Sequence, residues 1–306
     1  MKQFLTILLI ICVFYPFAQL PQVASGKIVR FVNFQSVFVS PRNVDVWLPA
    51  NYRPSNKYAV LYMHDGQMLF DSLTTWNKTE WCIDETVSKY LAIGKIKNCI
   101  VVGIWNTGTG RHADYFPQKP FEALGTEQQD SLYAARRSNG ASVFNGIKIH
   151  SDNYLHFLVK ELKPFIDSAF STTKERKSTF IAGSSMGGLI SLYAICEYPQ
   201  IFGGAACLST HWPGIFTESN NPFPDSFLKY LSDKLPSPVT HKIYFDYGTT
   251  TLDSMYKPYQ LKVNALMKQK KYSTKNWVTH EFTGESHSEA AWAKRFYLPL
   301  VFLLHK

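Results

Sequence analysis

Two hydrophobic rhythms alternate along the chain. Short unbroken apolar runs occur at Tyr58–Met63, Cys99–Trp105 and Thr179–Ala182, and again in "FGGAACLST" and "KIYFDYG". Such runs, bounded by Gly and polar turns, predict strands buried on both faces of a parallel sheet. Between them apolar residues return at helical spacing. Tyr154, Leu155, Leu158, Val159, Leu162, Phe165 and Ile166 make one helical face, with Ser151 and Asp152 as candidate caps. Leu189, Ile190, Leu192, Tyr193 and Ile195 make another, stopped by Pro199. Further helices are expected from about Asp84, over Asp225–Leu235, Asp253–Lys271 and Ser288–His305. Ile28–Phe38 and Asn43–Leu48 read as two strands joined at Ser40-Pro41-Arg42, and "NWVTHEFTGESH" as the last strand with its loop. Strands alternating with helices imply an α/β chain, a doubly wound, mostly parallel sheet with helices on both faces.

One strand-to-helix junction carries chemistry. Gly183-Ser184-Ser185-Met186-Gly187 lies between the Thr179–Ala182 strand and the Leu189–Ile195 helix, and matches G-x-S-x-G. A serine hydroxyl is a weak nucleophile and must project from a sharp turn toward a base. Gly183 and Gly187 remove side chains that would collide in such a turn, and the helix start aims N–H groups beside Ser185. Ser185 is therefore the candidate nucleophile and the Met186 amide a candidate oxyanion donor. A polar turn, His64-Asp65-Gly66-Gln67, follows the Tyr58–Met63 strand and is the place for a second donor, on Gly66 or Gln67.

A nucleophilic serine needs a histidine base and an acid to orient it. Two loops after later strands supply them: "DYGTTTLDSMY" holds Asp253 and "TGESHSEAAW" holds His287. Asp253 also sits where a helix N-cap would, and the two roles are compatible. Asp246, inside its strand, is the other candidate acid. His280 falls within a strand, while His64 and His211 precede the acid in the chain.

The formal charge of +9 over 306 residues is spread out, with no Lys/Arg run longer than Lys270-Lys271. It reads as solvated surface, so no nucleic-acid partner is expected. Lys2, the apolar run Phe4–Phe14 and the small residues Ala24, Ser25 and Gly26 read as an export signal over residues 1–25, too short for a comfortable membrane span. One folded unit is expected over 26–306, in the periplasm or outside the cell. Cys99, Cys196 and Cys207 lie in apolar contexts and read as free thiols, and no Cys/His cluster has metal-ligand spacing. Residues 106–150, polar, aromatic and glycine-rich, are too long for a plain connection and read as a lid-like insertion.

With these residues in view, "YMHDGQ", "VVGIWNTGTGRHADYFP", "GSSMGGL" and "GESHSEAAWAKR" resemble the Putative esterase branch of the α/β hydrolases. That branch includes enterochelin, feruloyl and acetylxylan esterases, S-formylglutathione hydrolase and mycolyltransferases. The resemblance spans nearly all of the chain from Ile28. It implies the α/β-hydrolase fold, a nucleophile at Ser185, a base at His287 and an acid at Asp253. Its oxyanion donors fall on Met186 and Gly66, with Gln67 the alternative. It implies no cofactor and a small-molecule or glycan-linked ester as substrate. Trp105, Arg111, Tyr115, His211 and Trp212 are the expected substrate-pocket residues, aromatic walls suiting a sugar-linked or aromatic acyl ester. An acyltransferase with the same triad, or a non-catalytic glycan- or siderophore-binding relative, would carry the same pattern.

Overall fold

The computed structural model of the chain describes residues 19–217 and 219–306. Most of the expected leader, residues 1–25, lies outside them. The strands are β1 (Lys27–Phe34), β2 (Arg42–Leu48), β3 (Ala59–His64), β4 (Cys99–Ile104), β5 (Thr179–Ser184), β6 (Gly204–Leu208), β7 (Lys242–Gly248) and β8 (Trp277–Phe282). They form one eight-stranded sheet in the order β1-β2-β4-β3-β5-β6-β7-β8. β1, β2 and β4 pair antiparallel, and every pair from β4 to β8 is parallel.

β3, β4, β5 and β6 are buried at every residue. This is the consequence of helices on both faces, and it explains why these strands read as unbroken apolar runs. Alternate residues feed two cores. Val60 and Tyr62 of β3 join the larger one, with Ile181, Ile243 and Phe245, under helices including Met186–Glu197 and Phe223–Lys234. Ala59, Leu61 and Met63 join the other, with Ile83 and Val87 of the Ile83–Ala92 helix and Leu300, Leu303 and Leu304 of the C-terminal helix.

Several expected boundaries move. The first strand stops at Phe34 rather than Phe38. Ser151 and Asp152 lie inside a helix that begins at Ser151, not at its cap. Their side chains go elsewhere: Ser151 Oγ accepts the Gln118 N–H at 3.0 Å, and Asp152 accepts the Tyr193 hydroxyl at 2.5 Å. That helix widens into a π-helical turn at Phe157–Leu162 before continuing as Lys163–Ala169. Asp253 lies in a 3-10 turn, Thr251–Met255, and the regular helix starts only at Lys257, with Pro258 in its first turn. The expected C-terminal helix is two, Glu289–Arg295 and Tyr297–Leu304. Cys99, Cys196 and Cys207 are buried free thiols and Cys82 a half-buried one. Among the described residues no helix is long and apolar enough to cross a membrane.

The segment ahead of β1 is tied to the body through two carboxylates. Gln22 N donates to Asp71 at 2.8 Å, and Ala24 N to Asp84 at 2.7 Å. Asp84 is buried, and burial, with Glu85 beside it, raises its pKa to about 7. A carboxyl whose pKa rises on folding contributes stability in its neutral form. That contribution is complete below the ordinary carboxylate range and is lost as the pH climbs through about 7. Asp84→Asn should therefore melt above the wild type at about pH 8.5, with the difference closing by about pH 4, in paired thermal denaturations.

Candidate active site

The turn from β5 into the Met186–Glu197 helix holds Ser185 at φ 57°, ψ −121°, a conformation that L-residues seldom adopt and that costs on the order of 1–3 kcal/mol. The surroundings enforce it. Ser185 N donates to Leu208 O at 2.9 Å, and Ser185 O accepts from Leu189 N and His211 N. The turn is so tight that a Cβ on Gly183 would lie 2.8–2.9 Å from the Gly187 backbone. The strain points the hydroxyl out of the sheet edge, and the first amides of the helix face the same space.

His287, on the loop after β8, reaches toward that space. Its Nδ1 lies 2.5 Å from Asp253 Oδ1. The ring is wedged edge-on between Trp292, 4.9 Å away, and Tyr256, 5.8 Å away. Asp253 is buried, and its second oxygen accepts the Gly248 N–H and the Ser209 hydroxyl, each at 2.5 Å. Burial pushes the Asp253 pKa up. The hydrogen bonds from His287, Ser209 and Gly248 outweigh it and hold the carboxyl below its ordinary range. Asp246, the other candidate acid, faces different groups: its oxygens accept Arg295 Nη2 at 3.0 Å, the Tyr244 hydroxyl at 3.1 Å and Ser209 N at 3.3 Å.

The turn after β3 is held from a third side. Asp65, at φ 57°, accepts Arg111 Nε and Nη2, both at 2.7 Å, and Asn106 Nδ2 at 2.8 Å. His64 turns away and bonds the Tyr154 hydroxyl at 2.8 Å; burial drops its pKa to about 3, so it stays neutral. Ser185, His287, Asp65, Gln67, Arg111, Trp76, Trp81 and Trp292 line one open cavity of about 670 Å³. Gly66 is buried beside it.

With this geometry in hand, comparison places the chain. The family model described as "Putative esterase" matches residues 36–300. The chain belongs to the Esterase family. Two Bacillus subtilis (strain 168) proteins are similar: YbbA, 25% identical over 173 residues, and YjcH, 25% over 209. The matches cover 56% of this chain and 58% of YbbA, and 68% of this chain and 67% of YjcH, so the chain spans under three fifths of YbbA. Among solved structures, a ferulic acid esterase matches with TM-score 0.62 at 18% identity, covering 91% of this chain and 98% of that one. The BES protein from Bacillus cereus matches at 0.65 and 16%, covering 94% and 99%. The enterobactin esterase FES from Shigella flexneri matches at 0.62 and 15%, covering 92% and 60%. The fold is the α/β-hydrolase fold.

Of the five expected pocket residues, the structure brings Arg111 alone to the cavity of Ser185. Trp105 faces a separate cavity with Arg42 and His150, and its Nε1 donates to Asp45 at 2.9 Å. Trp212 is buried against Phe227 and Phe245, Tyr115 is fully buried, and His211 is buried behind Ser185. Large aromatic surface gains more from the core than from a wet cleft, which is why Trp212 and Tyr115 were drawn inward. The indoles that do line the cavity, Trp76, Trp81 and Trp292, come from the loop before the Ile83–Ala92 helix and from the C-terminal region. Sequence reasoning also missed Ser209. Its hydroxyl donates to Asp253 and accepts from Trp292 Nε1 and Arg295 Nη2, both at 2.9 Å. No sequence pattern announces a serine whose nearest of these partners lies 44 positions away.

The acid and base loops are laced through Glu285, whose carbonyl accepts Thr249 N at 3.0 Å and Thr250 N at 3.2 Å. A Cβ on Gly248 would lie 2.2 Å from that carbonyl oxygen. Gly248→Ala must therefore push the two loops apart. It should destabilise the fold by about 1–3 kcal/mol and depress ester hydrolysis, read from denaturation midpoints and initial rates.

Proposed function

We propose that this esterase is a serine carboxylic-ester hydrolase working through an acyl-enzyme, with Ser185 as nucleophile, His287 as general base and Asp253 as the group that orients it. The observation that carries the reading is the strained Ser185 facing the same cavity as His287, whose far nitrogen is bonded to a buried carboxylate. Family membership supports ester hydrolysis as the class of reaction.

In the reaction, His287 Nε2 takes the Ser185 proton as Oγ bonds to the ester carbonyl carbon. The carbonyl electron pair moves onto oxygen, which the Met186 amide and an amide of the Asp65–Gln67 turn hydrogen-bond. Of the two turn candidates, Gln67 lines the cavity and Gly66 is buried. The imidazolium then protonates the departing alcohol. Water repeats the sequence on the acyl-enzyme and releases the acid. Ionised Asp253 keeps Nδ1 protonated and stabilises the transient imidazolium.

The cavity wall favours a substrate with flat faces. Trp76 is 82% exposed at the rim, Trp81 and Trp292 lie deeper, and Asn77, Asn106 and Glu289 add polar groups. Arg111 offers no net charge there, since Asp65 neutralises it. Sugar-linked or aromatic acyl esters fit this mixture of indole faces and hydrogen-bonding groups. For comparison, one structural neighbour is a ferulic acid esterase and another an enterobactin esterase.

Ser185→Ala should fold normally, labelling by a fluorophosphonate should vanish, and hydrolysis should fall by on the order of 10⁶. Full hydrolysis by the folded variant would refute the mechanism. Asp253→Asn should lose about 10⁴ in kcat, as wrong-tautomer variants of such triads do, and Asp246→Asn should lose less. The reversed ranking in steady-state kinetics would reassign the acid.

A further inference from the structure

Beside the cavity of Ser185 lies a second one, of about 480 Å³, that the ester chemistry leaves unused. The turn 106–110 divides the two. Asn106 lines both, Gly108 the catalytic cavity, and Thr107, Thr109 and Gly110 the second. The partition is fixed, because Asn106 spends its side chain on Asp65 Oδ1 and on Gly108 N, both at 2.8 Å. Its crest is bare. Gly108 is exposed at φ 67°, and a Cβ there would meet nothing within 4 Å. A chain-like ligand can therefore cross from one cavity to the other.

We propose that the second cavity is a subsite for a negatively charged sugar, a uronic acid, and that the substrate is a glycan lying across the turn 106–110 with its ester bond in the cavity of Ser185. The inference rests on the esterase reading of Ser185 and names a substrate class for it.

The charge follows from the groups that line the cavity. Arg42 and Asp114, both buried, pair at 3.0 Å. His150 stands on the other oxygen of Asp114, with Nε2 at 2.8 Å, while its Nδ1 lies 2.6 Å from the Lys148 carbonyl oxygen. A neutral imidazole has one N–H and cannot donate to both acceptors, so the geometry calls for the imidazolium. The hydrogen bond to Asp114 raises the His150 pKa in the same sense. Two cations thus face one carboxylate, and Asp114 is the only acid lining the cavity among the described residues. One positive charge is left over for a ligand. The walls describe the rest of that ligand. Arg30, balanced by Asp45 at 2.6 Å, stands 4.7 Å over the Trp105 ring and leaves the indole's other surface for the cavity it lines. Asn43 accepts the Asn33 N–H at 2.9 Å through its oxygen and keeps its NH₂ unspent among the described residues. Ser40, Thr107 and Thr109 add hydroxyls. An indole surface among uncharged donors suits a sugar ring, and the surplus cation suits a carboxylate on that ring.

The test uses cellobiouronate, a glucuronosyl-glucose, and its neutral counterpart cellobiose. In titrations followed by ligand-observed NMR, the wild type should bind the acidic sugar about tenfold more tightly than the neutral one, and about 0.5 M salt should narrow the gap. Binding should survive treatment with a fluorophosphonate, whose adduct occupies the catalytic cavity. Thr109→Trp, at an exposed position that lines the second cavity and not the first, should weaken binding by about tenfold or more. His150→Gln, which keeps a donor for Asp114 but no charge, should bring cellobiouronate down to the affinity of cellobiose. Melting curves near the wild type's show that both variants fold. A phenolic acyl ester on the glucose unit of each sugar then reads the span across the turn. In the wild type KM should be about tenfold lower for the acidic ester, with kcat similar, and the gap should close in both variants. Equal affinities or equal KM values for the two sugars in the wild type, or binding lost on fluorophosphonate treatment, would overturn the proposal. A wild type that takes no label at Ser185 would overturn the esterase reading instead, and the two failures are told apart because the titrations need no catalysis.

Discussion

A carboxylate buried in the interior sets the terms for this site. Asp253 is 1% exposed, and taking an isolated charge that far from water costs several kcal/mol unless bonds replace the lost hydration. Here His287, Ser209 and the Gly248 amide replace it. Each comes from a different piece of chain, so the charge can be ionised only when the pieces have met. Ser209 in turn is saturated by Trp292 and Arg295 of the Glu289–Arg295 helix. Arg295 spans Ser209 and Asp246 and stands 4.0 Å from Asp253. The Glu289–Arg295 helix is thereby part of the site, and its Glu289 and Trp292 also line the cavity.

The sheet makes that convergence possible. From β4 to β8 all strands run parallel, so the loops after β3, β5, β6, β7 and β8 all emerge at one edge, the place where ligands bind in open α/β sheets. Two ion pairs divide the labour at that edge. Arg295 with Asp246 is fully buried and braces the acid side. Arg111 with Asp65 is partly exposed and fixes the turn after β3. The elbow stands between them, and its unfavourable φ is tolerated because Leu208, Leu189 and His211 bond its backbone from both flanks.

What was legible in the sequence follows from which interactions are local. Strands buried on both faces announce themselves as apolar runs, and the Gly183–Gly187 turn as a spacing, because both constraints act between near neighbours. His287 and Asp253 were legible through their position after strands, not through their contact. Ser209, Trp292, Arg295 and Tyr256 were not, since their roles exist only once distant loops share an edge; Arg295 reads as one more surface cation of a helix. The aromatic residues misled for the opposite reason. Trp212 and Tyr115 follow the site's motifs closely in the chain, yet burying a large ring gains enough free energy that both were taken into the core. Pro258 lies in the first turn of a helix that starts only after Asp253, which leaves the proposed acid on a 3-10 turn where its carboxylate accepts from Gly248 at the end of β7.

The proposed base is one histidine among nine, and its surroundings set it apart. His64 and His112 are buried with pKa values pushed down to about 3, and His211 is driven well below its ordinary range for the same reason. Burial outweighs even the Asp65 carboxylate beside His64, and each of the three is fixed as a neutral hydrogen-bonding group. A carboxylate partner alone is not sufficient, however. His150 has one, Asp114 at 2.8 Å, and its pKa is raised by that bond, but it faces the cavity of Trp105 and Arg42 and has no serine to serve. His287 alone combines a carboxylate behind it with Ser185 in the cavity before it. The proposed base thus meets two separate demands, one on each ring nitrogen. The loops after β7 and β8 meet both, because Asp253 anchors the first loop and the Glu285 carbonyl ties the second to it.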